Sequence, residues 1–241
     1  MKLVVDFGNS FVKAGVFDKD DIVLEKVYNT FGINELTSLF ENYTEINKSI
    51  ISSVVHHDKS VDDFLEENTT YFKLTHQTKV PITINYKTKD TLGLDRLCAA
   101  VAGNHLYPGN NVLIIVTGTC ITYNLVNSKN EFLGGGISPG YDMRIKAMNH
   151  YTHKLPLVEK SDTTELIGIT TENSLQSGAY YGMLSEIDGI ILRYTSAFKN
   201  LKLILSGGDA KYFDKKLKNN IFAVPNIVLR GLNKILDFNA N

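Results

Sequence analysis

Residues 3–20 read LVVDFGNSFVKAGVFDKD, and residues 113–130 echo them as LIIVTGTCITYNLVNSKN. Each stretch begins with a short apolar strand, turns at a glycine among small polar residues, and continues into a second β-rich run. The correspondence has no gap, so that Val16 falls opposite Val126 at a constant offset of 110. Two copies of a long repeat indicate a duplicated domain, because a solenoid needs at least about three repeats. Chance similarity between two β-hairpins is the alternative.

Turn signals and periodicity extend this repeat into two α/β halves. Pro108-Gly109-Asn110-Asn111 is the strongest turn cluster and stands just before the second copy, which predicts domains at 1–110 and 111–241. Upstream, strands are expected at Ile50–Val55 and Val80–Ile84, and a helix at Gly93–Leu106. Downstream, the pattern predicts strands near 112–116, 120–127, 130–137 and 201–205, and helices near 139–149, 171–197 and 226–237. Strands mixed with helices in both halves predict an α/β architecture.

The composition excludes several classes of protein. Of 241 residues, 43% are hydrophobic and 21% charged, as in ordinary globular proteins, and 25 basic residues nearly balance 26 acidic ones. Without a net field or a basic run, nucleic acid and anionic membranes are not expected partners. Two cysteines cannot build a disulfide framework, and there is neither a signal peptide nor an apolar run of membrane length. A cytoplasmic globular protein is the expectation.

The first glycine loop carries side chains suited to a metal and a phosphate. Asp6 ends the first strand and can hold a hydrated magnesium ion, while Gly8 lets a ligand approach the backbone. Asn9 and Ser10 offer donors to phosphate oxygens, and Lys13 on the returning strand offers a positive charge. An ordinary hairpin turn with an exposed lysine remains the alternative for this loop alone.

Two further strand-to-glycine turns strengthen the nucleotide interpretation. Val116-Thr117-Gly118-Thr119-Cys120 is the second copy of the loop, and Ser206-Gly207-Gly208-Asp209 is the third turn of this kind. Neither matches the P-loop or the dinucleotide-binding fingerprint. Three such loops predict a nucleotide held in a cleft between duplicated halves.

A candidate base opens the helix predicted at Gly93–Leu106. Asp95 would act as a general base toward a substrate hydroxyl, and Arg96 would grip a substrate carboxylate with its forked donors. The alternative from the residues alone is an acidic side chain that compensates the helix dipole beside a solvated arginine. None of the six histidines is paired in a pattern that indicates chemistry, and none is assigned a function.

Taken together, these segments resemble the type III pantothenate kinases, in the superfamily of acetate and sugar kinases, heat-shock chaperone ATPases and actin. The resemblance covers almost the whole chain in one order. The segments that carry it are DFGNSFVKAGVF, LGLDRL, TGTCIT, GGGISPGYDMRIKAM, TENSLQSGAYYG and LILSGGDA. It implies two duplicated ribonuclease-H-like, or actin-like ATPase, domains with an interdomain cleft. It also implies ATP-dependent phosphorylation of pantothenate to 4′-phosphopantothenate, the first step of coenzyme A synthesis.

The resemblance also implies roles for individual residues and a set of cofactors. Asp95 matches the family's proton acceptor. Pantothenate-binding positions match Tyr86, Gly93, Arg96 and Thr171. Positions that hold ATP and its metal match Asp6, Gly8, Asn9, Ser10, Lys13 and Thr119, with Asp6 as the metal ligand. Family members are homodimers with the active site at the subunit interface, and they use Mg²⁺ together with K⁺ or NH₄⁺.

One departure from the family concerns the monovalent cation. The second loop begins with Val116 where the family has a cation-supporting aspartate, and Asn124 stands where the family usually has another. The internal repeat makes the same point, because Asp6 falls opposite Val116. Valine cannot bind a cation, so a cost in rate or ATP affinity is expected. The alternative hypotheses are a non-catalytic ligand-binding or regulatory member of the fold, and a small sugar or acetate kinase.

Overall fold

The computed structural model describes residues 1–161 and 164–240, which divide into two units. Unit 1 contains Met1–Leu106, Asn130–Phe132 and the stretch from Asn226 onward, and unit 2 contains Tyr107–Lys129 and Leu133–Pro225. No helix in the described part of the chain is both long and apolar enough to cross a bilayer.

Unit 1 is built on a five-stranded mixed sheet. Its elements are β1 (Lys2–Phe7), β2 (Val12–Asp18), β3 (Asp21–Tyr28), α1 (Ile33–Asn42), β4 (Lys48–Ser53), α2 (Lys59–Asn68), β5 (Thr70–Lys73), β6 (Thr83–Ile84) and α3 (Leu94–Leu106). The strand order is β3-β2-β1-β4-β5, with β1 parallel to β4 and antiparallel to β2. Leu3, Val5 and Phe7 of β1 join a buried cluster with Leu36 of α1 and Leu65 of α2. Because the central strand is covered on both faces, it is almost continuously apolar.

Unit 2 repeats the plan and contains one long helix of 27 residues. Its elements are β7 (Val112–Thr117), β8 (Cys120–Val126), β9 (Glu131–Pro139), α4 (Tyr141–His150), α5 (Thr171–Ala197), β10 (Lys202–Ser206) and β11 (Phe222–Ala223). The strands follow the order β11-β10-β7-β8-β9. The first residues of β9, Glu131 and Phe132, belong to unit 1 and pair with β6. Ile187 and Ile191 of α5 are fully buried with Leu113 and Ile115 of β7.

The last helix, α6 (Ile227–Asn239), packs within unit 1 on α3 and on the sheet. A side chain at Gly231 would overlap the carbonyl oxygen of Cys98, so the two helices approach backbone to backbone. The predicted domain at 111–241 includes this helix, whereas the contacts place it with the first unit. Its buried face, with Leu232 and Leu236, supplies the apolar surface that holds it there. The two-domain boundary at residue 110 stays a prediction.

Three expectations about individual elements need correction. Only Thr83–Ile84 of the predicted strand Val80–Ile84 forms β6, because Pro81 has no N–H for a ladder. Pro139 ends β9, so the helix predicted at 139–149 begins after Gly140 instead. The register shows that Leu3 pairs with Val16 and Leu113 with Leu125, so the second hairpin is one residue shorter and the ungapped offset ends at its turn.

Candidate active site

The first glycine loop joins β1 to β2 in unit 1. The Gly8 N–H donates to the Phe11 carbonyl oxygen at 3.1 Å, which closes the turn and leaves Asn9 and Ser10 exposed. Lys13 lies directly opposite Asp6 in the antiparallel register. The loop therefore presents polar groups to solvent at the carboxyl end of a buried strand, where α/β proteins commonly bind ligands.

A carboxylate distant in sequence, that of Asp95, acts on Asp6 at this strand end. Burial, together with the charge of Asp95, raises the pKa of Asp6 from 3.8 to about 6, although Lys13 and Ser52 act in the opposite direction. Asp95 lies in the first turn of α3 and is exposed. The fold thus brings the predicted metal ligand and the predicted base into one electrostatic environment, which is typical of functional sites.

Ser52 completes this group and was not predicted from the sequence. It is fully buried and lies opposite Asp6 in the parallel register of β1 with β4. Its hydroxyl makes no hydrogen bond of normal geometry within residues 1–161 and 164–240. Carboxylate and hydroxyl oxygens are hard ligands, and Mg²⁺ usually needs only one or two carboxylates besides phosphate and water. The residues present therefore fit a divalent ion at Asp6.

A second group in unit 1 surrounds the buried ring of Phe132. The Arg96 guanidinium carbon lies 5.9 Å from the centre of this ring, and the Tyr86 ring centre lies 6.0 Å from it. Arg96 is only 5% exposed. A Cβ at Gly93 would stand 2.5 Å from an Asp95 carboxylate oxygen, so this glycine makes room for the candidate base. Tyr86, Gly93, Asp95 and Arg96 are therefore brought together, and Phe132, which sequence reasoning missed, links two of them.

In unit 2 the second and third glycine turns meet. The Gly118 N–H donates to the Cys120 carbonyl at 3.0 Å, and the Thr117 hydroxyl donates to the Ser206 carbonyl at 3.1 Å. Gly207 has a φ of 100°, and a Cβ there would lie 2.0 Å from the Thr117 carbonyl oxygen. Only glycine satisfies both conditions, so the close approach of the two turns explains this residue. Thr119 lies exposed at the tip of the second loop.

Thr171 is the first residue of α5, in unit 2. The preceding Thr170 caps the helix, because its hydroxyl oxygen accepts a hydrogen bond from the Asn173 N–H at 3.1 Å. Thr171 itself is exposed. It is therefore available to a ligand.

His57 supports the first loop, although no sequence pattern indicates a role for it. Its ring stacks on Phe7 with ring centres 4.4 Å apart, and its Nε2 lies 2.9 Å from an Asp62 carboxylate oxygen. Phe7 immediately precedes Gly8, so the stack fixes the strand end from which the loop begins. No sequence signal indicates this contact, because the stacking depends on how the segment after β4 returns to β1.

Comparison with known proteins gives consistent matches. A sequence profile of the type III pantothenate kinases matches residues 2–193. The type III pantothenate kinase of Christiangramia forsetii is 40% identical over 240 residues, which cover 99% of each chain. Among solved structures, a Campylobacter jejuni protein described as a Baf family transcriptional activator has a TM-score of 0.61 and 20% identity over 99% of each chain. A Porphyromonas gingivalis protein described as an N-acetylglucosamine kinase has a TM-score of 0.54 and 12% identity over the whole of both. These two structures share the fold, which is that of duplicated ribonuclease-H-like domains.

Proposed function

The chain belongs to the type III pantothenate kinase family, and we propose that within it Asp95 is the catalytic base and Asp6 the metal-binding carboxylate. The enzyme phosphorylates pantothenate with ATP and yields 4′-phosphopantothenate, the first step of coenzyme A biosynthesis. The relatives give no support to a non-catalytic member of the fold.

The observation that carries the base assignment is the position of Asp95, which lies exposed in the first turn of α3 and near enough to Asp6 for its charge to raise the pKa of Asp6. Asp95 is exposed and accepts the proton of the primary hydroxyl of pantothenate as its oxygen attacks the γ-phosphorus and ADP leaves. Because phosphoryl transfer depends chiefly on positioning and on charge stabilisation, a base is one contribution among several. The two acids have different tasks because their environments differ, Asp6 being half-buried and Asp95 exposed.

Asp6 would hold the divalent ion, with the Ser52 hydroxyl beside it. When bound, Mg²⁺ neutralises charge on the phosphates. The protein's own contribution is a partly desolvated carboxylate whose ionisation is unfavourable until a cation arrives. Lys13, opposite Asp6, supplies a positive charge on the same strand end. This arrangement supports binding of a metal–nucleotide complex in preference to the free nucleotide.

The remaining ATP contacts are proposed from the two glycine loops. In unit 1 the backbone turn at Gly8 and the exposed side chains after it can donate to phosphate oxygens, and in unit 2 Thr119 does so from the tip of the second loop. The proposed ATP-binding residues are Asp6, Gly8, Asn9, Ser10, Lys13 and Thr119.

Pantothenate has a carboxylate, an amide and two hydroxyls, and unit 1 offers matching groups around Phe132. Arg96 is held beneath the surface by the aromatic ring, so its guanidinium fork is pre-oriented for a carboxylate. Tyr86 flanks the same ring, and the lack of a side chain at Gly93 leaves space for the carboxylate of Asp95, the proposed catalytic base. Thr171 of unit 2 is the fourth proposed substrate contact, which we carry over from the family pattern.

We propose that the enzyme is a homodimer and that it lies in the cytoplasm, where ATP is available. An exposed apolar stretch supports the dimer: Leu166, Ile167 and Ile169 are 66%, 77% and 88% exposed and directly precede the helix that begins with Thr171. Exposed apolar clusters of this kind usually mark interaction surfaces. A second copy covering this stretch would lie next to a proposed substrate residue.

The assignment is tested by incubating the protein with Mg-ATP and a panel of acceptors, followed by mass spectrometry of the products. Pantothenate should give 4′-phosphopantothenate and stoichiometric ADP, while N-acetylglucosamine and acetate should give no phosphorylated product. Folded protein that leaves pantothenate unmodified, or that phosphorylates a sugar faster, would contradict the proposal.

A further inference from the structure

Unit 2 contains a charged group that the assignments above leave unused, formed by Lys160, Asp142 and Asp209. The Lys160 ammonium lies 2.7 Å from a carboxylate oxygen of Asp209 and 3.0 Å from one of Asp142. It also lies 5.5 Å from the ring centre of Tyr212. We call these three charged residues the Lys160 cluster. They come from three separate segments: the irregular chain after α4, the first turn of α4, and the turn after β10.

The cluster contains a permanent cation. Burial lowers the pKa of Lys160, but hydrogen bonds to Asp209 and Asp142 outweigh this effect and raise it above its usual value. The Asp209 side chain is only 6% exposed, so its carboxylate has little water and depends on the ammonium. Removing one partner of such a pair leaves the other buried and uncompensated.

Both carboxylates sit on segments that support the second glycine loop. The Asp209 N–H donates to the Thr117 carbonyl oxygen at 3.2 Å. The Gly140 N–H donates to the Thr119 carbonyl at 3.0 Å, and Gly140 caps the helix that carries Asp142. Lys160 therefore connects the two supports of the loop formed by Thr117–Cys120, and its ammonium acts on the loop through them.

The monovalent cation site that the family resemblance implies does not fit the residues at this loop. Val116, next to Thr117, pairs with Ser206 in the β10–β7 register and offers no ligand where the first copy has Asp6. Asn124 is buried and donates to the Ile114 carbonyl at 3.3 Å, so a neutral amide is accommodated where the family usually has a carboxylate. A positive charge that bridges two carboxylates is nevertheless present, on Lys160.

We propose that the Lys160 ammonium takes the place of an exchangeable monovalent cation and holds the second glycine loop for ATP, so that this kinase does not require potassium. A tethered ammonium carries the same charge as K⁺ or NH₄⁺ and bridges two carboxylates, as a free ion would. Lys160 is thus a positioning residue, which acts on ATP through the loop. The inference rests on the proposed function for the identity of the nucleotide.

The test compares monovalent salts at equal ionic strength, with tetramethylammonium as the ion too large to substitute. ATP affinity is measured by calorimetry, and kcat and KM by phosphopantothenate formation. For the unmodified enzyme, the Kd for ATP, kcat and KM should each differ by less than about twofold among potassium, sodium and tetramethylammonium salts. Lys160→Ala should raise the Kd and KM for ATP about tenfold or more in tetramethylammonium, and ammonium salts should recover most of the loss, because the truncated side chain leaves room for the ion.

Two matched variants separate charge from packing. Lys160→Met fills the space without a charge, so it should lose ATP affinity as Lys160→Ala does but gain nothing from ammonium. Lys154→Ala, an exposed lysine of the same segment, should behave as the unmodified enzyme. Circular dichroism checks that each variant is folded. If Lys160→Ala does not fold, Asp142→Ala, which removes the more exposed partner, should show a smaller loss of ATP affinity.

Three results would overturn the inference. They are strong potassium activation of the unmodified enzyme, a Lys160→Ala variant indistinguishable from Lys154→Ala, and a Lys160→Ala defect that is the same in every salt. The ATP-binding measurement needs no pantothenate. Failure to form phosphopantothenate would therefore contradict the proposed function, while an ammonium-rescued ATP affinity would still support the role of Lys160.

Discussion

Replacing Asp6 with asparagine should stabilise the ligand-free protein while destroying its ability to use Mg-ATP. The carboxylate is buried beside Asp95, so its ionised form is disfavoured in the folded chain. Asparagine keeps the shape of the side chain and removes the charge. Sites that prepare a group for a ligand often cost stability in the ligand-free state, and Asp6 is the residue where this cost can be measured.

The size of the effect follows from the pKa. Because one pKa unit corresponds to about 1.4 kcal/mol, the difference between 3.8 and about 6 amounts to at most about 3 kcal/mol. The folded protein holds this proton more tightly than the unfolded chain does. The contribution of this proton to the free energy of unfolding is therefore fully present below pH 3.8 and is lost as the pH rises through about 6. The free energy of unfolding of Asp6→Asn should exceed that of the unmodified protein by about 3 kcal/mol at pH 8 and by about half of that at pH 5.

The assay is urea unfolding of both proteins without ligand, followed by circular dichroism at pH 8 and pH 5. Asp18→Asn, an exposed aspartate at the end of β2, is the matched control and should change stability by less than about 0.5 kcal/mol at either pH. Thermal melts with Mg-ATP complete the comparison. The melting temperature should rise for the unmodified protein and for Asp18→Asn but not for Asp6→Asn.

Two outcomes would refute this reasoning. A destabilised Asp6→Asn at pH 8 would mean that the carboxylate is held by favourable contacts rather than disfavoured by burial. A stability difference that does not change between pH 5 and pH 8 would mean that the proton of Asp6 is not linked to folding.

Three further substitutions test other parts of the account. Gly207→Ala should lower the free energy of unfolding by about 2 kcal/mol or more and weaken ATP binding. Gly208→Ala, with open space around it, should do neither. Equal melting temperatures for the two variants would contradict the close approach of Gly207 to Thr117. Val116→Asp adds a carboxylate beside the second loop and should make ATP turnover respond to potassium; an unchanged salt response would show that a missing ligand there is irrelevant. Ile167→Lys should shift the protein from dimer to monomer in light scattering, and an intact dimer would exclude this apolar stretch as the interface.

Several elements were predictable because their periodicity is long and their ends are marked. The helix predicted at 171–197 is found at Thr171–Ala197, and the four strands predicted after residue 111 lie within two residues of their predicted bounds. The short strand β11 was not predicted. The helices α1 and α2 were not predicted. Each buries only two apolar residues, which gives a short apolar stripe. Their N-termini do carry capping side chains, because Glu35 accepts a hydrogen bond from the Gly32 N–H in α1 and Asp58 accepts one from the Ser60 N–H in α2. These caps were sequence signals for the two helices.

The candidate residues were predictable as a set, but their arrangement was not. Asp6 and Asp95 come together only because β1 lies beside β4 and α3 packs at the same end, which no local pattern encodes. Phe132 reaches Tyr86 through the pairing of β6 with the start of β9, between segments far apart in the chain. Lys160 lies in an irregular segment, where neither periodicity nor a motif singles it out.

The most direct test of the central claim is a single-turnover measurement of phosphoryl transfer by Asp95→Asn. Enzyme in excess over radiolabelled Mg-ATP is mixed with pantothenate and quenched, so that chemistry is separated from product release. Asp95→Asn should form phosphopantothenate about 10²–10⁴ times more slowly, while ATP affinity stays within about twofold. Asp90→Asn, an exposed aspartate just before the helix, should transfer at the unmodified rate. If Asp95→Asn transfers as fast as the unmodified enzyme, Asp95 is not the base.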